Sequence, residues 1–291
     1  MRKNLIKKIE GLENCTALEE LDLYDNKIKK IEGLDTLKNM IILDLSFNRI
    51  KEIENLEPLE SLEKLFLISN RIKKIKNLGC LKTVKMVDLG DNKLKSIEGI
   101  EEVPQITEFY AAKNRIKGIH PCVGNLKNLK ILAIQTNDIT KLENLEGLEN
   151  LEELYMQQNF VKKIEGLDSC PKLTILDLAY NKVTAIDNMD YNKQLTDLWI
   201  NKNLIEDWSS VEYLKNFPEL DTVYLIHNPV ASNQEYIDYI MENVPSIGQI
   251  DSDSIALIKQ KRMKKPKKVL SEEERNLNKA KKIIKSVLKN N

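Results

Sequence analysis

Leu21-Asp22-Leu23-Tyr24-Asp25-Asn26 is the stretch that decides the fold, because it recurs. The phrase apolar–x–apolar–x–x–Asn ends at Asn26, Asn48, Asn70, Asn92, Asn114, Asn137, Asn159, Asn181, Asn203 and Asn228, at spacings of 22, 22, 22, 22, 23, 22, 22, 22 and 25 residues. Self-similarity at such a fixed period marks a stacked repeat architecture. Within each phrase the two apolar residues stand two apart, as on one face of a strand. After each Asn an apolar residue follows at the second position and usually at the fifth: Ile28 and Ile31, Ile50 and Ile53, Ile72 and Ile75. Leu34 and Leu37 continue the threefold spacing, which fits a 3₁₀-like or extended return path rather than a full α-helix.

One such unit cannot bury its apolar side alone, whereas stacked units bury a continuous Leu/Ile column. The fold class is therefore α/β: a curved leucine-rich-repeat solenoid with short parallel strands on the concave face and 3₁₀ or irregular segments on the convex side. The repeat asparagines read as structural, since a buried side-chain amide can satisfy backbone groups where the chain leaves the strand.

The C-terminal end of the stack looks sealed. Tyr236, Ile237, Ile240 and Met241 share one helical face, and Val244-Pro245-Ser246-Ile247-Gly248-Gln249-Ile250-Asp251 reads as a last extended stretch. The N-terminal end looks open. Asn4-Leu5-Ile6-Lys7-Lys8-Ile9 matches Asn26-Lys27-Ile28-Lys29-Lys30-Ile31 at the same offset of 22, so the chain starts mid-repeat and the first strand is expected to lack a neighbour. Unpaired strand edges invite association, and exposed Ile6, Ile9 and Leu12 would add an apolar patch. Self-association through this end is the expectation.

The chain carries 45 Lys and Arg and 45 Asp and Glu, a formal net charge of zero made of two unlike parts. Residues 256–291 are strongly basic and residues 1–255 acidic, so the reading is two segments: a solenoid with its cap over 1–255 and a basic, partly helical tail over 256–291. In the tail, Lys261-Arg262-Met263-Lys264-Lys265-Pro266-Lys267-Lys268 is a basic cluster, Ser271-Glu272-Glu273-Glu274 a capping box, and Leu277, Ala280, Ile284 and Val287 a weak apolar stripe. Nuclear import, or a contact with nucleic acid or an acidic surface, is one use for such a tail; a solvated tail is the other.

No apolar run of membrane-spanning length and no signal-peptide stretch occurs. Cys15, Cys80, Cys122 and Cys170 fall in four non-adjacent repeats, too far apart to pair. Free thiols fit a reducing compartment, and a nuclear and cytoplasmic location is expected. No phosphate-binding loop, zinc-protease or nucleophile-elbow motif occurs. His120 and His227 have no nucleophile at a recognisable spacing. The expectation is a non-enzyme with neither cofactor nor metal.

What remains is the strand face. The residue between the two apolar positions forms a column: Asp22, Asp44, Phe66, Asp88, Tyr110, Ala133, Tyr155, Asp177, Trp199 and Tyr224. Strand alternation points every one of them outward. Aromatic side chains on an exposed regular face suggest a covering partner, and Tyr and Trp are typical binding anchors. Strands do favour aromatics, but that preference does not explain the interleaved aspartates. Trp208, at the fifth position after Asn203, is expected in the core.

These residues resemble the leucine-rich-repeat regulatory subunit of protein phosphatase 1. The likeness rests on Leu21-Asp22-Leu23-Tyr24-Asp25-Asn26, Leu43-Asp44-Leu45-Ser46-Phe47-Asn48, Leu65-Phe66-Leu67, Asp207-Trp208-Ser209, Val223-Tyr224-Leu225-Ile226-His227-Asn228-Pro229 and the terminal Val244-Pro245-Ser246-Ile247 through Ile250-Asp251. It spans roughly Asn4 to Ile255. The resemblance implies that the concave series Asp44, Phe66, Asp88, Tyr110, Asp177, Asp197, Trp199 and Tyr224 contacts a protein phosphatase 1 type catalytic subunit, and the column adds Tyr155. It also implies further residues ahead of this chain's start and gives the basic tail no role. Spliceosomal and axonemal proteins share the 22-residue repeat class, so a scaffold of a ribonucleoprotein or ciliary complex is the alternative.

Overall fold

A computed structural model describes residues 1–264. The chain divides into two compact units, Met1–Ser252 and a second starting at Asp253. The first is a stack of coils. Ten strands of three residues each, Glu20–Asp22 (β1), Ile42–Asp44 (β2), Lys64–Phe66 (β3), Met86–Asp88 (β4), Glu108–Tyr110 (β5), Ile131–Ala133 (β6), Glu153–Tyr155 (β7), Ile175–Asp177 (β8), Asp197–Trp199 (β9) and Thr222–Tyr224 (β10), stand in chain order in one parallel sheet. The register steps by one repeat each time: Asp44 faces Phe66, Phe66 faces Asp88, and Tyr155 faces Asp177, which faces Trp199.

The apolar pattern explains this stack. The strand's central leucine and the apolar residue two positions later point into the coil: Leu43 and Leu45, Leu65 and Leu67, Leu176 and Leu178 are fully buried. Each such side chain contributes about 1.5–3 kcal/mol of burial. The threefold spacing produces single i→i−3 turns, Leu37 N–H to Leu34 O at 3.1 Å and Met40 N–H to Leu37 O at 3.2 Å, repeated coil after coil. These turns carry the buried residues round the back without forming a full helix.

Most repeats take positive φ at two backbone positions. One precedes the repeat asparagine: Asp25, Phe47, Ser69, Asp91 and their equivalents have φ between 51° and 64°. The other is filled by Gly11, Gly33, Asn55, Asn77 and Gly99 in successive coils, residue types that tolerate the left-handed region. At Gly33 a Cβ would also lie 2.4 Å from the Ile9 carbonyl oxygen.

The repeat asparagines form a second ladder inside the stack. Asn48 Nδ2 donates to Leu23 O, Leu45 O and Ser46 O at 3.0, 3.0 and 3.1 Å, and its Oδ1 accepts from Ile28 N–H at 2.9 Å. The pattern repeats to Asn228, which bonds Ile200 O, Leu225 O and the Ile205 N–H. One coil further, Asp251 Oδ1 accepts from the Leu225 and Ile226 N–H groups, both at 2.7 Å. Its other oxygen accepts from the buried Tyr236 hydroxyl.

Tyr236 belongs to the capping helix. Helix α1 covers Ser209–Tyr213 and α2 covers Glu235–Asn243, which buries Tyr236 and Ile240 and half-buries Ile237 and Met241. A last short strand, Gln249–Ile250 (β11), pairs with β10 in parallel. Trp208 is not in the core as its spacing suggested. It is half-buried, its ring meeting Tyr239 of α2 edge-on at 5.7 Å, because the residues that follow it leave the coil to form α1.

The first strand stands at the edge of the sheet, as its sequence suggested, with β2 as its one strand neighbour among the described residues, but that edge is partly covered. The Met1 amine donates to Asp22 O at 2.9 Å, and the Lys3 and Asn4 N–H groups donate to Tyr24 O and Asp25 O at 2.9 and 3.1 Å. Ile9 and Leu12 are buried and Ile6 is half-buried. The Asp22 carbonyl and two carbonyls of the turn after it thus find donors within the chain, and the apolar patch expected of Ile9 and Leu12 is buried instead.

The second unit contains a short strand, Asp253–Ser254 (β12), and helix α3, Ile255–Lys264, with Lys261 Nζ bonded to both oxygens of Asp253 at 2.9 and 2.7 Å. The rest of the basic cluster, the Ser271 capping box and its apolar stripe lie outside the described residues.

Candidate functional site

The strand column lies on the open face of the sheet, with side chains one strand spacing apart. Asp44, Phe66, Asp88, Tyr110, Tyr155, Asp197, Trp199 and Tyr224 are each half-buried. Strand alternation suggested full exposure. Neighbouring coils shield the lower part of each side chain instead, and two residues disappear from the surface altogether: Asp177 is 3% exposed and Ala133 2%.

The cover over Asp177 comes from its neighbours. β7 and β9 flank β8, and their backbones stand about 9.6 Å apart, two strand spacings. Yet the Tyr155 and Trp199 ring centroids are only 6.4 Å apart. The two rings lean toward each other across the aspartate between them. Tyr224 continues the row, its ring edge-on to Trp199 at 6.4 Å.

Polar contacts fix the aromatic rings. Tyr110 hydroxyl donates to Glu108 at 3.0 Å and Tyr155 hydroxyl to Glu153 at 2.7 Å, each to a carboxylate two residues back on its own strand. Burial first, and these carboxylates second, push both phenols well above their ordinary range. Tyr224 hydroxyl accepts from Gln249 Nε2 at 2.7 Å. Trp199 differs: its indole Nε1 is buried and has no partner, and the same holds for Gln157 Oε1 two residues after Tyr155. Both side chains line a hollow of about 460 Å³ together with Asp177, Tyr180, Asn201 and Tyr224. A buried donor without a partner is costly.

The aspartates have a local role that spacing alone did not reveal. Asp22, Asp44, Asp88 and Asp177 each accept, through Oδ1, the N–H two residues on: Tyr24 at 3.0, Ser46 at 2.8, Gly90 at 2.8 and Ala179 at 2.9 Å. This Asx turn ends the strand and aims the chain into the left-handed residue before the repeat asparagine. Their presence in the column is therefore partly structural. Burial pushes the carboxyls of Asp88 and Asp177 up to about 6, against the pull of those N–H groups, with Asp44 adding to the rise at Asp88. Asp197 accepts from the Thr196 hydroxyl at 2.8 Å.

The arrangement is one for binding. Among the described residues no group of His, Cys, Asp and Glu could hold a metal, and no helix is long and apolar enough to cross a membrane. The four cysteines are free thiols, and burial pushes Cys122 and Cys170 up to about 12. His120 Nδ1 accepts the Cys122 N–H at 3.4 Å in a tight turn.

Comparison with known proteins agrees with this geometry. A family model described as leucine-rich repeats (2 copies) matches residues 1–36 and 16–58, and one described as leucine-rich repeat matches 154–286. No curated protein matches the chain. Among solved structures, the functional domain of InlJ from Listeria monocytogenes superposes with a TM-score of 0.67 at 21% identity, covering 86% of this chain and 52% of its own. This chain thus spans about half the length of that one. A leucine-rich-repeat protein of Leptospira interrogans gives a TM-score of 0.67 at 25% identity, covering 82% and 67%. The octameric complex of latrophilin 3, Unc5D and the FLRT2 repeat domain gives 0.59 at 24% identity, covering 73% and 77%.

Proposed function

We propose that this chain, a leucine-rich-repeat protein, is a non-catalytic regulatory subunit that engages a protein phosphatase 1 type catalytic subunit through its strand face. One observation carries the reading: Tyr155, Trp199 and Tyr224 form a contiguous aromatic row over a buried aspartate, with an indole N–H that has no partner. Pinned rings lose little entropy on binding, and a desolvated aromatic pocket is where interface energy concentrates. The acidic members, Asp44, Asp88 and Asp197 with Glu108 and Glu153, complement a partner surface that carries basic residues. The order of acidic and aromatic residues along the column is the feature shared with the phosphatase regulatory subunit. The FLRT2 repeat domain, seen in complex with other proteins, shows the fold put to protein binding in that assembly.

The chain would act in the nucleus and cytoplasm, with the segment after residue 255 as an appendage to the solenoid. Affinity capture of the tagged full chain from native lysate, read by mass spectrometry, tests the partner. The catalytic subunit should be recovered with the wild type and lost with the Trp199→Ala/Tyr224→Ala double variant. Recovery of spliceosomal or axonemal proteins without any phosphatase would replace this reading with the scaffold alternative.

A further inference from the structure

A second surface runs along the coils beside the strand face. In the first five full repeats the residue after the repeat asparagine is basic without exception: Lys27, Arg49, Arg71, Lys93 and Arg115. Two residues further on the chain is basic again in each of the same repeats, from Lys29 to Lys117 at 22-residue steps. The apolar residue between the two is buried in every case, so its neighbours on both sides are turned outward. All of them are exposed except the half-buried Lys27.

The backbone holds these side chains in register. Arg49 N–H donates to Ile28 O, Arg71 N–H to Ile50 O, Lys93 N–H to Ile72 O and Arg115 N–H to Leu94 O, at 2.8, 2.8, 2.9 and 2.9 Å. Each bond joins one coil to the coil before it, so the basic column advances by one coil per step. Four steps of about 4.8 Å give a ladder roughly 19 Å long.

None of these side chains makes an ion pair or a hydrogen bond among the described residues. The lysines that do pair with glutamates of adjoining coils, Lys38, Lys76, Lys85 and Lys130, stand elsewhere on the coil. Asp25, Glu52 and Asp91 are the acidic residues between the position before each asparagine and the fourth after it. Glu52 is already bonded to Lys76 at 2.8 Å and Asp91 to the Ser69 hydroxyl at 2.5 Å. Glu98, Glu101 and Glu102 share a hollow with Lys73, Lys93, Lys95 and Arg115, and Glu101 and Glu102 accept backbone N–H groups. The basic residues at two offsets in five coils outnumber these acids, so the file stays net positive on a body that is acidic overall, which concentrates anionic partners. The unbroken ladder ends at Asp138; beyond it the same position holds Phe160, Lys182 and Leu204.

We propose that this ladder is a docking surface for an acidic polypeptide segment, rich in Asp and Glu, distinct from the strand face and independent of what binds there. Its length matches about six residues of extended chain. Single-stranded nucleic acid is the other polyanion to weigh, but it needs aromatic platforms on which bases stack. From the position before the asparagine to the fourth after it, these five repeats hold one aromatic side chain, Phe47, whose ring lies against Tyr24 at 4.7 Å, too few to stack successive bases.

Fluorescence anisotropy with a labelled 20-residue polyglutamate, and in parallel a labelled single-stranded RNA of 20 nucleotides, tests the proposal on the full chain. The basic tail is common to wild type and variant, so the difference between them reports the ladder. Wild type should bind polyglutamate with an affinity that falls steeply with salt, and Arg49→Glu/Arg71→Glu/Arg115→Glu should weaken it at least tenfold with an unchanged melting temperature. If that variant loses stability, Arg49→Gln/Arg71→Gln/Arg115→Gln should still weaken binding at least threefold. A polyglutamate affinity within twofold of wild type in a folded variant overturns the proposal. So does RNA that binds more tightly than polyglutamate through the same three arginines.

Discussion

Replacing Asn159 by alanine removes one rung of the internal ladder, and the structure sets the cost. Asn159 is 3% exposed. Its Oδ1 is the acceptor for the Ile139 N–H at 3.0 Å, and its Nδ2 donates to Ile134 O at 3.1 Å and Met156 O at 3.0 Å. The three losses are unequal. Ile134 O keeps a bond from Asn137 Nδ2 at 2.9 Å, and Met156 O keeps one from Asn181 Nδ2 at 3.0 Å. The Ile139 N–H keeps nothing. An orphaned buried amide costs about 1–3 kcal/mol, and each lost shared bond adds about 0.5–1 kcal/mol, toward the low end of a normal hydrogen bond. The expected destabilisation is therefore about 2–5 kcal/mol. Asn159→Asp should be no better at neutral pH, since a carboxylate restores the acceptor but turns a second anionic oxygen toward two carbonyls. At the last rung the chain does use an acid, Asp251, where both oxygens meet donors. Urea denaturation followed by circular dichroism measures the difference. A loss below 1 kcal/mol for Asn159→Ala would refute the claim that the ladder supports the stack.

Leu176→Ala, at a fully buried core position, should cost about 2–5 kcal/mol as a cavity in a packed column, read as a fall in the urea midpoint; an unchanged midpoint would contradict the register of β8. Asp177 has a folded pKa of about 6 against an ordinary 3.8, so the folded state holds its proton more tightly than the unfolded one. The ionisation penalty is absent below about pH 4, grows between 4 and 6, and is complete above 6, reaching at most about 3 kcal/mol. Asp177→Asn, whose amide oxygen can still accept the Ala179 N–H, should therefore raise the melting temperature at pH 7 and lose that advantage by pH 4. A pH-independent gain, or none, would show that burial does not set this carboxyl.

The sequence makes the solenoid legible because its determinants are local and repeat. Leu21, Leu43 and Leu65 and the asparagines that follow them each carry their own instruction, and stacking copies it. The capping helix is legible for the same reason, from the single apolar face of Tyr236, Ile237, Ile240 and Met241. The burial of Asp177 is not legible, since it depends on two rings from other strands leaning over it. Trp208 misleads because the repeat's spacing continues through it while the backbone turns off into α1. Ile9 and Leu12 mislead in the opposite sense: at the end of a stack they read as an exposed apolar patch, but both are buried. The column aspartates carry a local signal, an acid two residues before a turn, which accounts for them without any partner. The basic ladder is written in the sequence at two fixed offsets from the first five repeat asparagines, on either side of a buried apolar residue.

The most direct test of the strand face is equilibrium binding of the full chain to a purified protein phosphatase 1 type catalytic subunit by isothermal titration calorimetry. Wild type and Trp199→Ala are compared, with the folding of both checked by thermal melting. Trp199 sits at the centre of the aromatic row with its indole N–H unpaired, and loss of such an anchor costs about 2 kcal/mol or more, or roughly thirtyfold in Kd. Saturable binding by the wild type and at least a thirtyfold loss in a variant with native melting behaviour is the predicted result. Equal affinity of the two proteins, or no binding by the wild type, would contradict it.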